Sequence, residues 1–418
     1  MNTRTLAALI ACLAVASLPL LAADWPQWRG PDRTDISKET GLLKSWPDKG
    51  PKLLWTYSDA GTGYSGPAII GERLYTMGAD SDNDLVYALD TNTGKRVWST
   101  KIARRITLNR GDGPRGSPTV DGDRLYAIGS QGELICVDRT KGKKLWSVNL
   151  VKDLGGAVPH WGYTESPLVD GDKVICTPGG RKGAVAALDK TSGAEIWRSK
   201  DFTESAAYSS LVAATVGGVR QYVQMTTGSV VGVAADSGRV LWRYPRAAKI
   251  TVPTPIVSGD FVYTTSGYGV GCDLIKLGRD GDAFKFTEVY SNKTNKNMVN
   301  HHGGVILVGD YLYGYSESKG WVCQELKTGK LAWNEKKLGK GSVTFADGRL
   351  YCYSEGDGTV VLIEASPQGW KGHGRFTIPK KTKKRPSGSA IWTHPVVSNG
   401  RLYLRDHEFI FCYDVKAP

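Results

Sequence analysis

The sequence predicts an all-β chain closed into an eight-bladed β-propeller. Composition is the first ground: 51 glycines, 19 tyrosines and 13 tryptophans accompany β-branched runs over the whole length, as short strands cut by frequent turns require. A repeat of 45 to 51 residues, marked by Trp98, Trp146, Trp197 and Trp242, is the second, because that period suits a four-stranded propeller blade. The third is a final copy that stops one strand short, while the missing strand stands at the other end of the chain.

In chain order, residues 1–23 read as a secretory signal peptide: Arg4, an apolar run from Leu6, and Ala22 and Ala23 before Asp24. The rival reading is a lipobox, "LIAC", ending at Cys12. Residues 24–51 read as an N-terminal loop segment that packs its tryptophans on the propeller, and residues 52–418 as the propeller itself. The first complete units are "SGPAIIGERLYTMGADSDNDLVYALDTNTGKRVW", "GSPTVDGDRLYAIGSQGELICVDRTKGKKLW" and "ESPLVDGDKVICTPGGRKGAVAALDKTSGAEIW". Each supplies a short apolar strand, a Gly turn, a second strand, a third ending in Asp, and a Gly turn leading to Trp. Weaker copies follow, and the last breaks off at Asp414. Residues 52–58, "KLLWTYS", carry Trp55 in the repeat position and are expected to complete that blade, which would close the ring and protect its edges.

Within the unit lies Ala-x-Asp-x-x-x-Gly-x-x-x-Trp, complete at Ala88, Asp90, Gly94 and Trp98 and again at Ala187, Asp189, Gly193 and Trp197. The small residue permits close strand approach, Asp can bond the turn backbone, Gly supplies a positive φ, and Trp buries a large area. This pattern resembles the tryptophan-docking repeat of the quinoprotein alcohol dehydrogenase-like superfamily, the PQQ-like β-propellers, over about residues 52–418. Blades five and seven depart from it, with Leu277 and Glu364 at the Asp position. "DWPQWRGP" (24–31) is also similar to a leader found on some secreted bacterial members.

The resemblance implies two functions. One is that of the propeller lipoprotein of the outer-membrane β-barrel assembly machinery, a non-catalytic module that binds its partner through top-face loops. The other is a PQQ-dependent dehydrogenase oxidising an alcohol or sugar, with PQQ and calcium as cofactors. Against the second stand the absence of an adjacent Cys-Cys pair and of a C-x-x-C-H haem site, and shared blades do not imply shared chemistry. The expectation is therefore a binding or assembly module without a cofactor, periplasmic or secreted, and monomeric.

The candidate ligand site comes from aligning the loops that enter each innermost strand. Three positions before the register residue stand Tyr64, Arg115, Thr164, Val252, His302, Lys340 and Trp392. His301 and His394 lie beside that ring, and "HWGYTES" adds His160, Trp161, Tyr163 and Glu165. Convergent aromatic and titratable groups at a channel mouth form the default binding site. The set suits an envelope protein or an anionic or polysaccharide ligand, with histidine protonation expected to strengthen the hold on an anion. The net charge of +13 favours acidic partners, and part of it sits in "PKKTKKRP" (379–386), read as a solvated loop. No nucleic-acid reading motif occurs. No His or Cys ligand spacing points to a metal. Cys136, Cys323 and Cys412 share the slot of Ala88 and Ala187, so the cysteines read as packing residues.

Overall fold

The computed structural model describes residues 24–108 and 110–418. The expected signal peptide and the lipobox alternative at Cys12 lie outside the described residues. Strands are the regular elements of the described chain, arranged as eight sheets of four or five strands. The blades begin with innermost strands at Ala68–Ile70, Thr119–Asp121, Leu168–Asp170, Val212–Val216, Ile256–Ser258, Val305–Val308, Gly341–Ala346 and Val396–Ser398. Each continues outward through antiparallel neighbours, as hairpin connections of a few residues demand. In blade eight the outermost strand is Lys52–Tyr57, paired antiparallel with Phe409–Asp414, so the ring closes as expected.

The repeat residues do the work their chemistry suggests. Asp90, Asp138 and Asp189 each accept the next two turn amides but one, and the following glycines take positive φ of 67°, 70° and 78°. The slot opposite each tryptophan is small: Ala88 faces Trp98, Cys136 faces Trp146, Ala187 faces Trp197 and Cys412 faces Trp55. The indoles then reach the next blade, where Trp98 Nε1 donates to Arg139 O at 3.1 Å, Trp146 to Lys190 O at 3.2 Å and Trp197 to Ala235 O at 3.2 Å. A Cβ on Gly142, Gly193 or Gly238 would sit within 3 Å of those rings, so glycine there serves contact as well as turn geometry.

The irregular blades keep the contact by other means. In blade five Tyr290 takes the place opposite Leu274 and donates to Leu326 O at 2.8 Å in blade six. Blade seven has no tryptophan on its outer strand; Trp46 of the N-terminal segment lies there, its N–H bonded to His373 O. Its ring is 5.7 Å from Tyr351, close to the Tyr–Trp separations of 5.9 Å in blades one and two. Gly374 leaves the room, because a Cβ there would meet Trp46 Cβ at 2.6 Å.

The segment before the ring packs its tryptophans on the propeller as expected, and part of it does so from inside. Residues 25–35 run through the central channel and touch every blade at or beside its innermost strand. Trp25 pairs with Ile69, Pro26 O accepts from Val120 N, and Trp28 Nε1 donates to Thr254. Arg33 donates to the Ser166, Pro167 and Leu211 carbonyls, and Arg29 to Val305 O. Asp35 O accepts from Phe345 N, and its carboxylate meets His394 at 3.3 Å. Arg29 and Asp35 form an ion pair at 2.8 Å with both side chains 1 % exposed. Arg29, Arg33 and Asp35 all adopt left-handed φ of 55° to 62°. Such backbone costs about 1–3 kcal/mol a residue and persists where the surroundings over-determine it, here through bonds to opposite walls. Ile36–Ser37 leaves the channel paired parallel to Phe345 and Ala346.

Candidate functional site

Because residues 25–35 occupy the axis, the channel is a blind funnel of about 1090 Å³ that opens on one face. Tyr64, Arg115, His160, Trp161, His301, His302, Lys340, Trp392 and His394 line it, together with Thr164 and Val252 of the same loop register. Tyr163 and Glu165 do not. They alternate with Thr164 and Ser166, which face the funnel, and in an extended segment successive side chains point to opposite sides. Tyr163 donates to Pro178 O at 2.8 Å within the interblade core. Glu165 accepts from Thr177 N, Thr177 Oγ1 and Gln224 Nε2 at 2.6 to 3.0 Å. Burial pushes its carboxyl up to about 7, against those bonds and the Arg33 charge.

The structure adds groups that the register misses. Trp28 and Arg29 form part of the floor, with the Trp28 ring 4.6 Å from His394. Tyr208 comes from blade four, whose irregular entry loop hid it, and Arg110 and Lys249 complete the basic rim. Tyr268 and Glu355 sit on loops between second and third strands, the other loop class that opens on this face; only the first class had been aligned.

One wall is a connected polar cluster. His302 Nε2 meets Glu355 at 2.5 Å, Lys340 donates to His301 Nδ1 at 2.8 Å, and Lys340 stands 3.7 Å from Glu317 and 4.0 Å from Glu355. His394 Nε2 donates to His302 O at 2.9 Å, which places it beneath the mouth rather than at it. Burial, then His302 and Lys340, push His301 down to about 2, and burial outweighs Glu355 in lowering His302. Glu355 is driven up by burial but held below the usual carboxylate range by His302 and Lys340. His301 and His302 are therefore neutral at physiological pH, against the expectation that histidine protonation there helps hold an anion. Other basic groups lining the funnel are Arg and Lys side chains. Beside the polar cluster, Arg115 lies 4.6 Å from the Tyr64 ring centre and 5.5 Å from that of Trp392, whose ring is 5.8 Å from His302, stacking that holds a guanidinium on aromatic faces.

Calcium takes six to eight oxygen ligands, and Glu355, tied to His302 and Lys340, is the one carboxylate lining the funnel. Among the described residues no group of three or more His, Cys, Asp or Glu converges on a possible metal position. All six described cysteines are unpaired and buried, and none lines the funnel. One engaged carboxylate does not supply the oxygen set that calcium takes. Among the described residues no helix is long and apolar enough to cross a membrane.

Known proteins agree with the architecture. The outer membrane protein assembly factor BamB of Burkholderia pseudomallei is 26% identical over 372 residues, 87% of this chain and 88% of that protein. The quinohemoprotein alcohol dehydrogenase ADH-IIG of Pseudomonas putida is 27% identical over 216 residues, 44% of this chain but 29% of its own length. Against another BamB, from Xanthomonas campestris, the match also spans 29% of that relative. In fold, BamB from Moraxella catarrhalis superposes with a TM-score of 0.61 at 16% identity over 87% of this chain and 99% of the other. Quinohemoprotein alcohol dehydrogenase from Comamonas testosteroni reaches 0.62 at 14% identity, covering 95% and 81%. Since the family described as outer membrane protein assembly factor BamB matches residues 82–335, more than half of the chain, the chain belongs to that family of PQQ-like propellers.

Proposed function

We propose that this chain is an exported, non-catalytic binding or assembly module of the cell envelope, which holds its partner at the mouth of the funnel. The blind funnel carries the reading. Its floor is closed by the chain's own N-terminal segment, its walls are aromatic and basic, and its one lining carboxylate is engaged by neighbours. Such a surface presents shape and charge to a ligand. Glu355, the lining carboxylate, is tied to His302 and Lys340 rather than free to take a substrate proton. Membership of a family described by outer membrane protein assembly supports the envelope setting.

The quinohemoprotein relative supports the rival reading, and one experiment separates the two. Purified protein is incubated with PQQ and calcium, and visible absorbance and dye reduction with alcohols and sugars are recorded. No bound chromophore and no dye reduction are expected; substrate-dependent dye reduction would overturn the binding-module reading.

A further inference from the structure

We propose that the funnel binds an anionic saccharide, its ring laid on the aromatic wall and its carboxylate or sulfate met by Arg115, Lys340 and the basic rim. This rests on the reading of the mouth as a binding site and names the ligand class. Charge is the first ground. Among the described residues Arg110, Arg115 and Lys249 have no carboxylate within ion-pair distance, and of the lining residues Glu355 alone is acidic. An anion entering the funnel meets the exposed Arg110 and Lys249 at the rim and the half-buried Arg115 further in, each able to make a charge-assisted hydrogen bond.

The aromatic wall is the second ground. Tyr64, Trp161, Tyr208, Tyr268 and Trp392 line one funnel, and flat rings with a polar edge suit the C–H faces and hydroxyls of a pyranose. Tyr268 is 59 % exposed and adopts φ of 55°, with its N–H bonded to Glu317 at 2.7 Å. A bulky residue in left-handed backbone is strained, and such strain collects at ligand clamps.

The third ground favours a ligand rich in hydroxyls. Two buried polar atoms at the funnel wall have no partner, Trp161 Nε1 and His302 Nδ1. The indole nitrogen only donates; with His302 neutral and its Nε2 hydrogen on Glu355, Nδ1 only accepts. A hydroxyl does both. A peptide bound by strand addition would need a free strand edge, and the 25–37 segment already covers inner-strand positions in the channel.

The test is titration calorimetry of the mature chain with an α-1,4-linked galacturonate tetramer, its methyl ester, a sulfated galactan tetramer and a neutral cello-tetraose. Lys340→Met and Tyr268→Ala are compared with the parent, the second because its exposed side chain contributes little to folding. An acidic tetramer is expected to bind at least tenfold more tightly than the ester and cello-tetraose, and each substitution to weaken it about tenfold. The galacturonate and sulfated arms tell carboxylate from sulfate ester. Equal binding of neutral and acidic sugars overturns the anionic part. Failure of every sugar, while an envelope-protein peptide or PQQ binds in a manner sensitive to Lys340→Met and Tyr268→Ala, overturns the saccharide proposal and leaves the mouth as the site. Binding of any of these probes insensitive to both substitutions, or no binding of any probe, overturns the mouth reading as well.

Discussion

Thr164 and Glu165 are neighbours in sequence, yet one faces the funnel and the other lies buried between blades. The difference is one step of side-chain alternation, and it reverses the meaning of an acidic residue near a mouth. Glu165 is raised from 4.5 to about 7, chiefly by burial. A carboxyl whose folded pKa is raised contributes stability fully below its unfolded value, and loses it as pH rises through the folded value. The difference in melting temperature between the parent and Glu165→Gln should therefore shift against the parent from pH 5 to pH 8. Parallel profiles across that range would show that Glu165 does not titrate there.

At the scale of the element, the outer-strand indole is the recurring joint between blades. Trp197 is 8 % exposed and packs on Leu211, Tyr222 and Val233 of the next blade. Its replacement by Ala should cost about 3–5 kcal/mol, as emptying a large aromatic site does. Val97, at the bulge beside Trp98 and 46 % exposed, should cost less than ~0.5 kcal/mol. The same measurement on Trp46→Ala tests the substitution by a distant segment in blade seven: a loss of about 3 kcal/mol is expected, although Trp46 lies outside every blade. Urea denaturation of the three variants reads all of this, and a loss under ~0.5 kcal/mol at Trp46 would remove its role.

For the whole molecule, ring closure and channel filling are separate devices joined in one stretch of chain. Removing residues 24–58 takes the outer strand from blade eight and exposes its edge. Removing 24–48 alone reads from sequence as milder than removing 24–58; the structure makes it costly as well, because it strips Trp25, Arg29, Arg33 and Trp46 from buried positions. Arg33 by itself donates to carbonyls of two blades, and hydrogen bonds to charged groups are worth about 1.5–3 kcal/mol each where water cannot replace them. Both truncations should lower the melting temperature sharply in calorimetry. A 24–48 deletion that melts with the 24–418 chain would show that the channel segment contributes no stability.

The repeat, the number of blades and the closure at 52–58 were legible in the sequence because each depends on contacts within some fifty residues or on a strand visibly missing from one end. Alternation, an Asp-capped turn and a Gly before Trp are local chemistry, written out again in several blades. The ring of mouth positions from Tyr64 to Trp392 was legible for the same reason, since a register carries from one copy to the next. What only the tertiary structure decided lies in contacts without a period. Trp46 filling blade seven, Arg29 reaching Val305 across the axis and Trp28 forming the floor of the funnel join residues some 200 or more positions apart or outside the repeat. The neutral state of His301 and His302 belongs with them. It follows from burial beside Lys340 and Glu355, and desolvation is a property of the assembled funnel, which no residue carries in its own sequence neighbourhood.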